Sequence, residues 1–291
     1  MSTCYDIIGD IHGCSETLKA LLHKLGYEYT SGAYRHADRQ AVFLGDFIDR
    51  GPRQREVIEL VRPMIEGGSA LAVMANHEFN AIAFATPDSK GGHLRQRTAK
   101  NRKQHRAFLD AYPPDSPDYR EVVAWFKTLP LWLDLGALRV IHACWDPDAI
   151  GYLSQRVDGE AFITDEVLID ACEEGSEAYL AIETILKGKE IPLPSGATFR
   201  DKDGTVRHHI RIRWWDARAR SHRDAYIGPP NALTHIPDDP INEDHLILYA
   251  HDEPPVFLGH YWLEGDPEPL ALNIACLDYS VAKSGGKLVA Y

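Results

Sequence analysis

The sequence predicts an α/β fold built on a largely parallel sheet, and three observations carry that expectation. Three times in the first third, a short apolar run meets a polar motif and passes into a helical pattern, the punctuation of βαβ units. Each polar motif falls where a strand should end, and open α/β sheets bind ligands at strand ends. The chain has 291 residues, 44% of them hydrophobic and 25% charged, so it can bury a full-sized core.

Tyr5-Asp6-Ile7-Ile8 is the first strand. GDIHG, Gly9 to Gly13, follows it. Residues 15–25 then read as an amphipathic helix with Leu18, Leu21, Leu22 and Leu25 on one face and Gly26 as its stop. Ala41 to Leu44 leads into GDFIDRG and a helix over 54–66, which Pro63 should kink and Gly67-Gly68 should end. Ala70 to Met74 leads into ANHE and a third helix from Glu78. Further helices are expected over 94–112 and 119–128, strands over 131–135 and 138–142, and another helix over 165–186. Val206 to Trp215 alternates cleanly after the turn signal DKDG at 201–204, so it reads as one arm of a hairpin. Proline-rich turns then precede a strand-like tail, and no internal repeat or low-complexity linker divides the chain.

Charge and cysteine usage narrow the function classes. A formal net charge of -12 disfavours long nucleic acids and anionic membranes as partners, because the field of the whole protein repels them. Five cysteines at irregular spacing, with no CxxC pair, read as reduced thiols of a cytoplasmic protein. The opening residues lack the basic region of a signal peptide, and no run approaches the roughly 18 apolar residues of a membrane span.

The residues at the predicted strand ends form an ordered set: Asp10 and His12, Asp46 with Asp49 and Arg50, Asn76 and His77, His142, and His260. Singly, each would be an ordinary turn, cap or surface group; as an ordered set they point to one site. Carboxylate, imidazole and amide oxygen together suit borderline divalent ions such as Mn, Fe or Zn better than a site for Mg or Ca alone.

GDIHG, GDFIDRG and NHE, followed by two separated histidines, resemble the calcineurin-like metallophosphoesterases. Within that family the sequence is most similar to the bacterial branch related to PPP-type serine/threonine phosphatases and symmetrical diadenosine tetraphosphatases. The resemblance implies a sandwich of two mixed sheets flanked by helices over residues 1–291, with a cap inserted at about 151–244. It implies two divalent metal ions, Mn first and Fe, Zn, Co or Ni as alternatives. One would be held by Asp10, His12 and Asp46, the other by Asp46, Asn76, His142 and His260, with Asp46 bridging. Two cations about 3.5–4 Å apart can hold a phosphate oxygen and lower the pKa of a water toward ~7. By the same resemblance His77 is the general acid, Asp49 orients it, and Arg50 forks onto phosphate oxygens.

A second phosphate-binding arginine is expected between His142 and His260. Arg207, His209, Arg211 and Arg213 share one face of the alternating strand, opposite Ile210, Ile212 and Trp214. Arg213 is the first choice, with Arg218, Arg220 and Arg223 as rivals. The sequence departs from the family pattern at Ala75, where glycine is usual, at Ala143-Cys144 after His142, at Tyr261-Trp262 after His260, and in the tail CLDYS. If position 75 needs a positive φ, alanine there destabilises the fold.

The leading activity is phosphoester hydrolysis by direct attack of a metal-bound water, by a phosphomonoesterase of protein-phosphatase type acting on phosphoproteins. The alternative is a nucleotide or dinucleoside-polyphosphate hydrolase. A scaffold that keeps the fold without turnover is a third reading, against which every motif position is filled. The run 90–106 carries seven Lys or Arg and no acid; it reads first as a solvated helix face and second as a rim for a polyanionic substrate. Trp145, Trp214, Trp215 and Trp262 are assigned to core packing ahead of base stacking, Cys144 to packing ahead of redox sensing, and the ten remaining histidines to ordinary surface or core positions.

Overall fold

The computed structural model describes residues 4–200, 204–242, 245–247 and 249–291. In chain order the elements of the first half are β1 (Cys4–Ile8), α1 (Ser15–Lys24), β2 (Glu28–Thr30), β3 (Ala33–Arg35), β4 (Arg39–Phe43), α2 (Gln54–Glu66), β5 (Ala70–Ala72), α3 (Asn76–Ala85), α4 (Ala99–Gln104), α5 (Arg106–Ala111), α6 (Pro117–Phe126), β6 (Trp132–Asp134) and β7 (Arg139–Ile141). Those of the second half are α7 (Pro147–Ser154), α8 (Asp165–Asp170), α9 (Glu177–Lys187), β8 (Glu190–Pro192), β9 (Phe199–Arg200), β10 (Val206–Arg207), β11 (His209–Arg211), β12 (Val256–Leu258), β13 (Ile274–Cys276), β14 (Asp278–Tyr279) and β15 (Lys287–Leu288), with a short helix, His222–Ala225, after β11.

Two sheets face each other. One is parallel, in the order β1-β4-β5; the other runs β13-β12-β7-β6, with β12 parallel to both neighbours and β6 antiparallel to β7. Because side chains alternate across a strand, each sheet has an inner and an outer face. Ile7, Val42, Leu44 and Val73 of the first sheet's strands and strand ends meet Val140, Phe257 and Leu277 of the second in one buried cluster. On the other face Ile8, Ala41 and Phe43 pack into the larger core with Leu18 and Leu22 of α1 and Val57 and Val61 of α2. Each such side chain stabilises the fold by about 1.5–3 kcal/mol relative to exposure. This is the mixed α/β sandwich that the motifs imply.

Several elements differ from the expected ones, each for a local reason. Helix α3 begins at Asn76, not Glu78, because the Glu78 carboxylate accepts from the Ala75 N–H at 3.3 Å and closes the first turn. The single helix expected over 94–112 is two, α4 and α5, broken at His105. Residues 165–186 also split, since Gly175 takes a positive φ and Ser176 caps α9 afresh through the Tyr179 N–H.

Val206 to Trp215 serves two partners: β10 pairs with β9, and β11 with β8. The turn of that first hairpin, at 201–203, lies outside the described residues. Ile210, Ile212 and Trp214 are buried as the alternation requires. Trp214 Nε1 and Tyr261 Oη both donate to the Ala143 carbonyl at 3.1 Å, which ties this segment to the end of β7. Among the described residues no helix is long and apolar enough to cross a membrane.

Candidate metal centre

The loops that leave β1, β4, β7 and β12 converge at one end of the sandwich. Their turns are sharp: His12, Asp46, Asp49, Arg50, His260 and Trp262 all take positive φ, between 46° and 73°. A non-glycine residue held so costs about 1–3 kcal/mol, a strain that persists only where surrounding contacts enforce it. Ala75, by contrast, is extended at φ -106°, so alanine is no burden there. The glycine requirement sits at Gly45, whose φ is 85° and where a Cβ would fall 2.6 Å from Ala75 Cβ.

The hydrogen bonds fix which imidazole nitrogens carry protons. His12 Nδ1 donates to the Ile48 carbonyl at 2.9 Å and His142 Nδ1 to the Leu44 carbonyl at 2.8 Å. Burial pushes the His12 pKa down to about 4 and lowers that of His142, so both rings are neutral and their Nε2 atoms are bare lone pairs. Those lone pairs face other acceptors. His12 Nε2 stands 3.3 Å from Asp46 Oδ2, and His142 Nε2 stands 3.6 Å from Asp46 Oδ2 and 3.0 Å from Asn76 Oδ1. Asp10 Oδ1 and His12 Nε2 are buried without any hydrogen-bond partner. Acceptors crowded against acceptors need a cation between them, and the donor set of carboxylate, imidazole and amide oxygen suits a borderline divalent ion. His12, Asp46 and His77, and Asp10, Asp46 and His142, each bring ligand atoms within 4.8 Å of one another. His260 is arranged differently: Arg211 Nη1 donates to its Nε2 at 3.2 Å, leaving Nδ1–H to face Asn76 Oδ1 at 3.0 Å.

Buried carboxylates reinforce the requirement. Burial, then the neighbouring Asp278 and Asp46, drive the Asp10 carboxyl well above its ordinary range. Burial likewise raises Asp278, whose oxygens accept from the N–H groups of Trp262 at 2.7 Å and Ser280 at 2.9 Å. Burial and the Asp46 charge push Glu78 up to about 8; its oxygens accept from the N–H groups of Asp46 and Phe47 at 3.0 and 2.9 Å. Burial alone would also raise Asp46, but positive charge beside it, His77 first, outweighs burial and holds that carboxyl low. A pair of cations would sit in a field built to receive positive charge.

Beside this cluster Asp49 holds His77, with His77 Nδ1 2.6 Å from Asp49 Oδ2. The other face of the opening is Arg50, whose guanidinium carbon lies 3.6 Å from the Trp262 ring centroid, a cation–π stack that fixes the fork. Trp145 and Trp214 are buried in the core.

Three groups packed against the centre are not marked as such by the sequence. His105, assigned there to an ordinary position, places Nδ1 2.8 Å from Asp49 Oδ2, and no local signal marks it within the basic run. Glu78 is visible only as the last letter of NHE, and Asp278 only as the acid of CLDYS. The two arginines of that strand face differ in their contacts: Arg213 turns its guanidinium onto the Asp224 carbonyl, whereas Arg211, paired through β8 with Glu190, reaches a predicted metal ligand, His260. Cys144 is fully buried and its thiol is pushed well above the ordinary range, which makes it inert packing.

With the geometry in place, comparison with known proteins gives the family. The asymmetrical bis(5'-nucleosyl)-tetraphosphatase PrpE of Halalkalibacterium halodurans is 51% identical over 74 residues, 25% of this chain and 30% of that protein. PrpE of Bacillus velezensis is 36% identical over 158 residues, 53% and 61% of the two chains, so this chain spans less than two thirds of either relative. The symmetrical bis(5'-nucleosyl)-tetraphosphatase of Aromatoleum aromaticum is 29% identical over 286 residues, 93% of this chain and 88% of that one. Among solved structures, the cold-active protein-tyrosine phosphatase of a psychrophilic Shewanella species has the same fold, with a TM-score of 0.51 at 13% identity over 98% of this chain and 76% of that one. Residues 5–158 match the calcineurin-like phosphoesterase model, and the chain belongs to that family.

Proposed function

We propose that this chain is a dinuclear-metal-dependent phosphoester hydrolase acting on nucleotides of the dinucleoside-polyphosphate class. The observation that carries the hydrolase reading is the set of facing lone pairs at Asp10, His12, Asp46, Asn76 and His142 beside the Asp49–His77 pair. Asp10, His12 and Asp46 would hold one ion and Asp46, Asn76, His142 and His260 the other, Mn being the first choice. When bound, such ions supply Lewis acidity toward the phosphoryl group and lower the pKa of water.

The chain's own residues do the rest. The water gives one proton to solvent as its oxygen bonds phosphorus, the bond to the leaving oxygen breaks, the leaving oxygen takes a proton from His77 Nε2, and His77 is reprotonated from solvent. Asp49 keeps His77 Nδ1–H in place, and burial is outweighed by Asp46 and Asp49 so that the imidazole pKa is raised, as a proton donor at neutral pH requires. Arg50, fixed on Trp262, grips non-bridging oxygens, and Arg211 takes the part of second phosphate clamp. Residues 151–244 form the cap over this opening in our reading.

The substrate reading moves from phosphoproteins toward dinucleoside polyphosphates because the relatives named above are tetraphosphatases of that class. Metal-stripped protein reloaded with Mn²⁺ should be offered an aryl phosphate, phosphopeptides, mononucleotides and diadenosine tetraphosphate. The expected outcome is the highest kcat/KM on diadenosine tetraphosphate. Preference for phosphopeptides would return the protein-phosphatase reading, and no turnover with any metal would leave a scaffold. Chromatography of the products separates symmetrical from asymmetrical cleavage.

A further inference from the structure

A cleft of about 940 Å³ is lined by His77 and Arg50 together with Asn80, Arg95, Lys100 and Lys103. We infer that this cleft is the leaving-group site, and that it takes a leaving group carrying a polyphosphate chain. The inference rests on the hydrolase reading and deepens it. In that reaction the electrons of the broken bond go to the leaving oxygen, which accepts its proton from His77, so the leaving group must lie on the side of His77. Asn80 is one turn along α3 from His77, on the same helix face. Its Oδ1 accepts from Arg95 Nη1 at 3.0 Å, which places that guanidinium next to Asn80 in the cleft.

The charge along the wall is unbalanced in a way that a solvated helix face is not. Arg95 is partly buried, and its donors go to neutral amide oxygens: Asn80, then Asn101 at 3.2 Å and Gln104 at 3.0 Å. Glu183, an acid near it, is engaged by Lys187. Lys100 and Lys103 make no ion pair among the described residues. Of the acids lining the cleft, Asp49 is bonded by two histidines and Asp110 is paired with Arg106 at 3.4 Å. A row of unmatched cations in a chain of net charge -12 is matched by a ligand with several negative charges spaced along its length. A single phosphate would occupy only the metal centre. A di- or triphosphate arm continues from the broken bond past Arg95 to Lys100 and Lys103.

The test uses the full chain. With Mn²⁺ loaded, kcat/KM is measured for diadenosine tetraphosphate and for an aryl phosphate, in wild type and in the Lys100→Glu/Lys103→Glu double variant, with Arg95→Met as a second variant. Separately, tripolyphosphate binding to the metal-free chain is measured by calorimetry at two salt concentrations. The ratio of the two kcat/KM values should fall at least about tenfold in the double variant, through KM, and tripolyphosphate affinity should fall by about as much, more steeply at low salt. Wild-type ratios together with wild-type tripolyphosphate affinity overturn the assignment. Turnover of neither substrate by the wild type instead overturns the hydrolase reading beneath it, and the two failures are told apart by whether the wild type is active.

Discussion

His105 meets Asp49 at 2.8 Å, on the same carboxylate oxygen that His77 reaches at 2.6 Å. The carboxylate therefore carries two imidazole donors. Burial would raise its pKa, yet the bonds from His105 and His77 outweigh burial and hold it well below the ordinary range. A carboxyl with a depressed folded pKa contributes stability above its unfolded value of ~3.9, and loses it as pH falls through the folded value.

His105→Ala removes one donor, so the folded pKa of Asp49 climbs back toward the ordinary range. The expected results are a loss of ~1–3 kcal/mol at pH 7 and an acid-unfolding midpoint at higher pH. His105→Asn places an amide N–H near the lost Nδ1–H and should restore most of both. Urea titrations across pH 3–7 check this, and equal behaviour of the two variants would reduce His105 to a space-filler.

Arg211 and Arg213 make an internal control for the second phosphate clamp. Arg211→Ala should raise KM about tenfold or more on any phosphoester, because a charge-assisted donor is lost next to the metal ligands. Arg213→Ala, which frees only the Asp224 carbonyl, should stay within about threefold of wild type. Steady-state kinetics on the Mn²⁺-loaded protein decide between them.

Gly259 lets Asp10 approach: a Cβ there would sit 2.0 Å from Asp10 Oδ1. Gly259→Ala should displace that carboxylate and lower the bound metal, read by elemental analysis, below the wild-type stoichiometry. Saturating metal should raise the wild-type melting point, since a ligand at 100 times its Kd stabilises by ~2.7 kcal/mol. The variant should show a smaller rise. Asp10→Asn tests the charge crowding: its metal-free form should melt no lower than metal-free wild type.

Thiol labelling follows burial. Cys172 is pushed up to about 11, chiefly by burial, so at pH 8 only about one in a thousand of its side chains is thiolate. Cys4 is exposed, while Cys144 and Cys276 are buried. Iodoacetamide at pH 8 should modify Cys4 first. Raising the pH to 10 should bring in the partly buried Cys14 and Cys172, whose thiols burial pushes up, ahead of Cys144 and Cys276, read by peptide mass spectrometry.

The candidate ligands are legible in the sequence because they follow apolar runs directly. The pleat of β1 and β4 sends Ile7 and Val42 inward, and the next polar residues are delivered to the strand ends at fixed positions. What was illegible depends on tertiary register. Arg211 and Arg213 share a strand face, so alternation cannot tell them apart; only the pairing of β11 with β8 shows that Arg211 lies opposite Glu190. His105 looks like one more polar residue in a basic helix, and only the break between α4 and α5 turns it inward to Asp49. Asp278 lies 268 positions from Asp10 in sequence, yet both carboxyls feel each other's charge across the centre.

The left-handed backbone at His12, Asp46, Asp49, Arg50, His260 and Trp262 also bears on how this protein would respond to directed evolution. Glycine at any of these positions would relieve strain, and asparagine would fit the left-handed turn better than arginine or tryptophan does. A library screened only for heat resistance, in the absence of metal, would therefore enrich variants that dismantle the catalytic loops first. Coupling the screen to a chelator-sensitive readout would hold those codons in place, and the codons that resist change under both regimes would map the strain the chemistry needs.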